Sequence, residues 1–221
     1  MFSLADVASH LAWLDPFLEP LWTGWGTPVS TLETVAFALS IWMVGCNLRV
    51  NPLGWPLAIL SSALYALLFV RSRLYGEAGL QLVFIAMSFW GWWQWLRGDH
   101  GAPLPITALR PRAWAWLAPL AVLATFGYGW MLTRLTNAYA PYVDSAVLVL
   151  SVIAQLLMMR RKLESWWLWL LVNSIAVPLY YSRGLHLTSI LYVGFWINAL
   201  VALRHWRHLM RDEAKAAHAA A

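Results

Sequence analysis

Long, uninterrupted apolar runs decide what this chain can become. Seven stretches near the length a helix needs to cross hydrocarbon, about 20 residues, lie between clusters of Gly, Pro, Arg and Asp. They run near 29–48, 54–70, 76–96, 114–133, 142–159, 164–182 and 186–205. Only 11% of the 221 residues are charged and 61% are hydrophobic, against about 25% and 45–50% in soluble domains. A membrane β-barrel would alternate in ten-residue segments, and these runs do not. The chain reads as an all-α polytopic membrane protein with seven transmembrane helices.

The lone Cys46 excludes an intramolecular disulfide framework and thiolate-based metal sites. The net charge of +5 comes without a basic stripe interleaved with aromatics on a polar face, so nucleic acid is not an expected partner. The charge records topology instead. Arg49, Arg97, Arg110, Arg112, Arg160, Arg161, Lys162, Arg204, Arg207, Arg211 and Lys215 fall on one side of the seven spans, and Arg71, Arg73, Arg134 and Arg183 on the other. This bias places the C-terminus in the cytoplasm and the N-terminus outside. Residues 1–28 hold Asp6, Asp15 and Glu19 among apolar residues and lack a signal peptide's basic start. They read as an interfacial segment, a helix ending at Pro16 or Pro20; residues 208–221 read as a cytoplasmic tail.

An ungapped offset of 111 residues superposes Ser40 on Ser151, Arg49 on Arg160, Trp55 on Trp166 and Trp95 on Trp206, and pairs Glu33 with Asp144. The offset describes a duplication: repeat one at 29–97, a linker span at 113–133 and repeat two at 141–207. One intervening crossing makes the repeats parallel, an arrangement found in secondary transporters.

Polar residues recur at helical spacing inside the spans. Glu33, Ser40 and Asn47 mark one stripe, and Asp144, Ser151 and Gln155 another. Such stripes face the bundle interior, as interhelical hydrogen bonds or as the wall of a wet path. Glu33 and Asp144 lie near the outer ends of their spans and are candidates for an outer mouth. Gln81, Ser88, Trp92 and Trp95 share one face of the third span, and Trp166, Trp169 and Asn173 share one of the sixth. At about 1.5 Å per residue, Trp92 and Trp169 lie one or two turns inside the cytoplasmic boundary, with Ser88 and Asn173 nearer the middle. Tryptophan faces with amide side chains suit a flat, uncharged or cationic ring. Tyr65 is a further candidate for the path, and Pro178 a candidate hinge or a structural kink.

Tryptophan is also enriched at membrane interfaces, and Trp22, Trp25, Trp55, Trp114, Trp116, Trp130 and Trp206 read as that belt. Trp166 suits either role. The six histidines sit in termini, loops or span ends, and no metalloprotease, nucleophile-elbow or P-loop motif occurs. An enzyme is therefore not expected, nor a cofactor. No span carries an acid or base near its centre, which favours passive passage over ion coupling.

The segment Asn51-Pro-Leu-Gly-Trp-Pro56, the Leu74-Tyr75 turn, Gln81, Gly91-Trp-Trp-Gln-Trp95, and Trp166-x-x-Trp169-x-x-x-Asn173 followed by Val177-Pro-Leu-Tyr180 stand in a characteristic order. Over about 30–207 the chain resembles the PnuC family of bacterial nicotinamide riboside transporters. The resemblance implies a SWEET-like fold in the inner membrane, assembled as a homo-oligomer such as a trimer. It implies facilitated diffusion of the vitamin, trapped by phosphorylation by a cytosolic kinase. It also implies that Trp166, Trp169, Asn173 and Gln81 bind substrate; Trp92 and Trp95 are added from helix phase. Relatives carry thiamine or riboflavin, and thiamine, also cationic, is the nearest rival. Where an acid meets the substrate charge, affinity depends on Glu33 or Asp144. In a different class, a nontransporting scaffold or receptor would use the tryptophan faces for packing alone.

Overall fold

A computed structural model describes residues 15–24, 26–71, 75–98, 103–135, 140–182 and 186–219. The elements in chain order are α1 (Asp15–Leu18), β1 (Pro20–Gly24), β2 (Thr27–Ser30), α2 (Thr31–Leu48), α3 (Gly54–Arg71), α4 (Tyr75–Arg97), α5 (Pro111–Leu135), α6 (Pro141–Met159), α7 (Glu164–Ser182) and α8 (His186–Ala219). Among the described residues, the long helices α2 to α8 coincide with the seven apolar runs, except that α8 continues well past the last run to Ala219. Among the described residues, α2, α3, α5 and α6 are both long and apolar enough to cross a membrane. Large apolar side chains such as Trp116, Leu123, Phe126 and Leu135 of α5 stand exposed, as a lipid solvent allows and water does not.

In the N-terminal segment the described helix ends at Leu18, just before Pro20, and the sequence does not anticipate the strands that follow. After the single turn α1, residues 20–30 form an antiparallel hairpin, with Gly26 at φ 80 between the strands. A glycine supplies the positive φ such a short connection needs. The part before Asp15 lies outside the described residues.

The chain divides into two compact units, 1–93 and 94–221, within α4. In the first unit, Ser30 ends β2 and caps α2, its Oγ accepting a hydrogen bond from the Glu33 backbone N–H at 3.2 Å. The Glu33 carboxylate accepts the Ser30 backbone N–H in return, the reciprocal pairing of a capping box. Where α2 meets α3, the Ser40 and Ser61 hydroxyls lie 2.6 Å apart, and both reach the Ala36 carbonyl. Trp55 of α3 is 1% exposed and lies against Gly91 of α4, where a Cβ would fall 2.4–2.6 Å from the indole ring. Only a hydrogen at that position lets the ring in.

In the second unit α5, α6, α7 and α8 pack each against the next. Ile153, Ala154 and Leu157 of α6 meet Leu168 of α7, with Trp114, Leu117 and Trp169 closing around them. The helix α7 stays continuous through Pro178, and Ser189 of α8 donates to the Val177 carbonyl at 3.0 Å.

The turns after α2 and α6 repeat one another at the 111-residue spacing. Val50 N–H bonds Asn47 O and Asn51 N–H bonds Cys46 O; Arg161 N–H bonds Met158 O and Lys162 N–H bonds Leu157 O. Each set is a Schellman motif. Each places a residue other than glycine in the left-handed region, Val50 at φ 54 and Arg161 at φ 46. The bonds that start α3 and α7 match too, Gly54 to Asn51 and Trp55 to Pro52 against Ser165 to Lys162 and Trp166 to Leu163.

Gly91→Ala should clash with Trp55 and cost about 1–3 kcal/mol, as overpacking generally does. Thermal unfolding in detergent should show a lower midpoint, partly recovered by adding Trp55→Phe; an unchanged midpoint would contradict this packing.

Candidate functional site

The residues proposed from sequence fall into both units. In the second, Trp166, Trp169 and Asn173 lie along α7, at i, i+3 and i+7. Trp166 is 3% exposed and meets Trp206 of α8 edge-on, ring centroids 5.5 Å apart. Its indole Nε1 is buried with no hydrogen-bond partner among the described residues. Such an orphan donor costs about 1–3 kcal/mol, which a ligand acceptor would recover. Trp169 is half-buried against the α6–α7 core. Asn173, also 3% exposed, sits about 10 Å along the helix axis from Trp166.

Trp95 supports this arrangement instead of offering a free stacking face. Its Nε1 donates to the carbonyls of Met158 and Met159 at 3.3 and 3.1 Å. Its ring stands 6.2 Å from that of Trp206, and the Arg161 guanidinium lies over it at 4.5 Å. Arg161 is itself buried and donates to the Leu104 carbonyl at 2.5 Å. Burial lowers its pKa below the usual arginine range, and the Glu213 carboxylate partly restores it. Glu213 also accepts the Ile106 N–H at 3.0 Å, while Thr107 pairs with the turn through Arg161 O and Leu163 N. Loop 103–110, the α6–α7 turn and the extension of α8 are thus clamped together behind the stack Arg161–Trp95–Trp206–Trp166.

In the first unit, Ser88 of α4 is buried and its hydroxyl has no partner among the described residues. Gln81 and Trp92 are half-buried on the same helix. Tyr65 of α3 stacks on Phe69 at 6.0 Å and lies beside Ser40, with Glu33 within electrostatic reach. Glu33 borders a cavity at the start of α2, and Asp144 stands in the first turn of α6.

Trp55 and Trp206 correct the belt expectation: at 1% and 0% exposed they are core side chains. Trp22, Trp116 and Trp130 are exposed, Trp114 is half-buried, and Trp25 lies outside the described residues. Arg161 and Glu213 carried no signal in the sequence beyond their place among the basic and tail residues. Trp206 did carry one, its register with Trp95 at the 111-residue offset.

Long apolar helices that leave large apolar side chains exposed define a multi-pass helical membrane protein. The family model described as nicotinamide mononucleotide transporter matches residues 30–208, and the chain belongs to that transporter family. It is 24% identical over 237 residues to the nicotinamide riboside transporter PnuC of Escherichia coli, covering 96% of this chain and 95% of that one. It is 30% identical over 157 residues to the riboflavin/roseoflavin transporter RibM of Streptomyces davaonensis, covering 69% and 73%. A crystal structure of the vitamin B3 transporter PnuC matches with a TM-score of 0.68 at 25% identity, over 95% of this chain and 90% of that chain.

Trp95→Phe should remove the indole N–H bonds to the Met158 and Met159 carbonyls and cost about 1–2 kcal/mol of stability, read as a lower thermal midpoint. Trp169→Ala and Asn173→Ala should stay folded yet bind vitamin at least tenfold more weakly by titration calorimetry. Wild-type affinity in both would remove α7 from the site.

Proposed function

We propose that this chain carries nicotinamide riboside across the bacterial inner membrane by facilitated diffusion and performs no chemistry on it. The observation that carries this reading is the α7 face, where Trp166 keeps an unpartnered buried N–H near half-buried Trp169 and buried Asn173. A pyridinium ring is attracted to an indole face by its positive charge. Its carboxamide and ribose ask for the donors and acceptors that Asn173 and Trp166 present. Gln81, Ser88, Trp92 and Tyr65 are assigned to the path in the first unit.

Passive passage fits spans without a central charge, since coupled carriers keep ionisable groups at depth. Net uptake then needs a sink, and a cytosolic kinase supplies one by making a charged product. The repeated turns support two duplicated three-helix repeats, 29–97 and 141–207, with the same sense across the membrane as in SWEET-like carriers. The bias of Arg and Lys places the C-terminus in the cytoplasm.

A second reading is riboflavin, favoured by the 30% identity to RibM. Proteoliposomes loaded with ATP and a riboside kinase should accumulate labelled nicotinamide riboside above the outside concentration, and empty ones should only equilibrate. Saturable uptake of riboflavin or thiamine without riboside uptake would overturn the substrate assignment. Binding without any uptake would point to a receptor.

A further inference from the structure

A second site is built into the first unit. A cavity of about 280 Å³ opens where the β-hairpin meets the start of α2 and the end of α3, walled by Leu18, Pro20, Pro28, Leu68, Glu33 and Arg71. Its volume is close to the lower bound for small-molecule pockets, about 300 Å³. Ser30 also lines it, but its hydroxyl is engaged in capping α2.

The charges there are unequally answered. Arg71 donates to Asp15 of α1 through Nε at 3.0 Å and through Nη2, so a carboxylate of α1 meets its charge. Glu33 is half-buried; its carboxylate accepts the Ser30 backbone N–H but makes no ion pair among the described residues. A carboxylate flanked by apolar walls keeps more of its field than one in open water. The prolines and leucines offer flat apolar surfaces to a ring. Below Glu33 the polar groups continue along the α2–α3 seam: Tyr65 beside Ser40, then the Ser40–Ser61 pair.

We propose that this pocket is an outer loading site for a cationic aromatic ring, Glu33 meeting its positive charge before the molecule moves inward past Tyr65. The inference rests on the proposed passage of a pyridinium nucleoside, and adds to it a charge filter separate from the α7 face.

The test compares initial uptake of nicotinamide riboside with that of its reduced 1,4-dihydro form, which keeps the skeleton but is uncharged, at low concentration and low ionic strength. Wild-type protein should favour the cation. In Glu33→Gln the cation-to-neutral ratio should fall about tenfold, and in Glu33→Asp it should largely return. Leu68→Lys, which sets an ammonium group in the same pocket, should lower the ratio independently of how well Glu33→Gln folds. A wild-type ratio in either of these charge-altering variants, with the protein folded and transporting, would overturn the loading site while leaving the proposed function standing. Wild-type protein that transports neither form would remove the proposed function, and the loading site with it.

Discussion

The absence of water from the bilayer interior is the constraint on which the structure depends. In hydrocarbon no solvent takes up a free N–H or C=O, so the backbone closes on itself in helices. Several hydroxyls inside the spans follow the same rule. Ser40, Ser145 and Ser174 bond carbonyls one turn earlier on their own helices, and Ser189 reaches across to α7. At helix ends the carbonyls are closed within the turn itself. That requirement is strong enough to hold Val50 and Arg161 at positive φ, where a side chain ordinarily costs about 1–2 kcal/mol.

The second unit turns this closure into a support for the α7 face. Arg161, placed by the turn, covers Trp95; Trp95 packs on Trp206, and Trp206 meets Trp166. The guanidinium is attracted to the indole face, and burial away from water strengthens that attraction. Loop 103–110 and the extended end of α8 close the far side through Glu213 and Thr107. Displacement of any member would be felt at Trp166, because a close-packed stack has no slack to absorb it.

Much of the architecture was legible because a span leaves a long, redundant signal. Every long helix was outlined by its apolar run, and the offset of 111 residues anticipated the matching turns after α2 and α6. The hairpin at 20–30 was not legible: its strands are five and four residues long and contain prolines, so they carry no clear alternation. The buried Trp55 and Trp206 were misread because core and interfacial tryptophans stand at the same depth near span ends. Hydropathy cannot separate a ring facing lipid from one facing a helix. The residues 111 positions away, Trp166 and Trp95, held the information that could have separated them.

By itself the sequence determined that the chain lies in a membrane, where its long apolar helices run, and that Trp166, Trp169 and Asn173 recur at helical spacing. These are properties of composition and period, and they survive in one dimension. Only the tertiary structure decided that Trp95 is packed against Trp206 and Arg161, that the buried Trp166 N–H has no hydrogen-bond partner among the described residues, and that Glu33 and Arg71 border one cavity. Each depends on atoms brought together from distant parts of the chain, and distance along a sequence carries no record of which neighbours will use up a hydrogen bond or answer a charge.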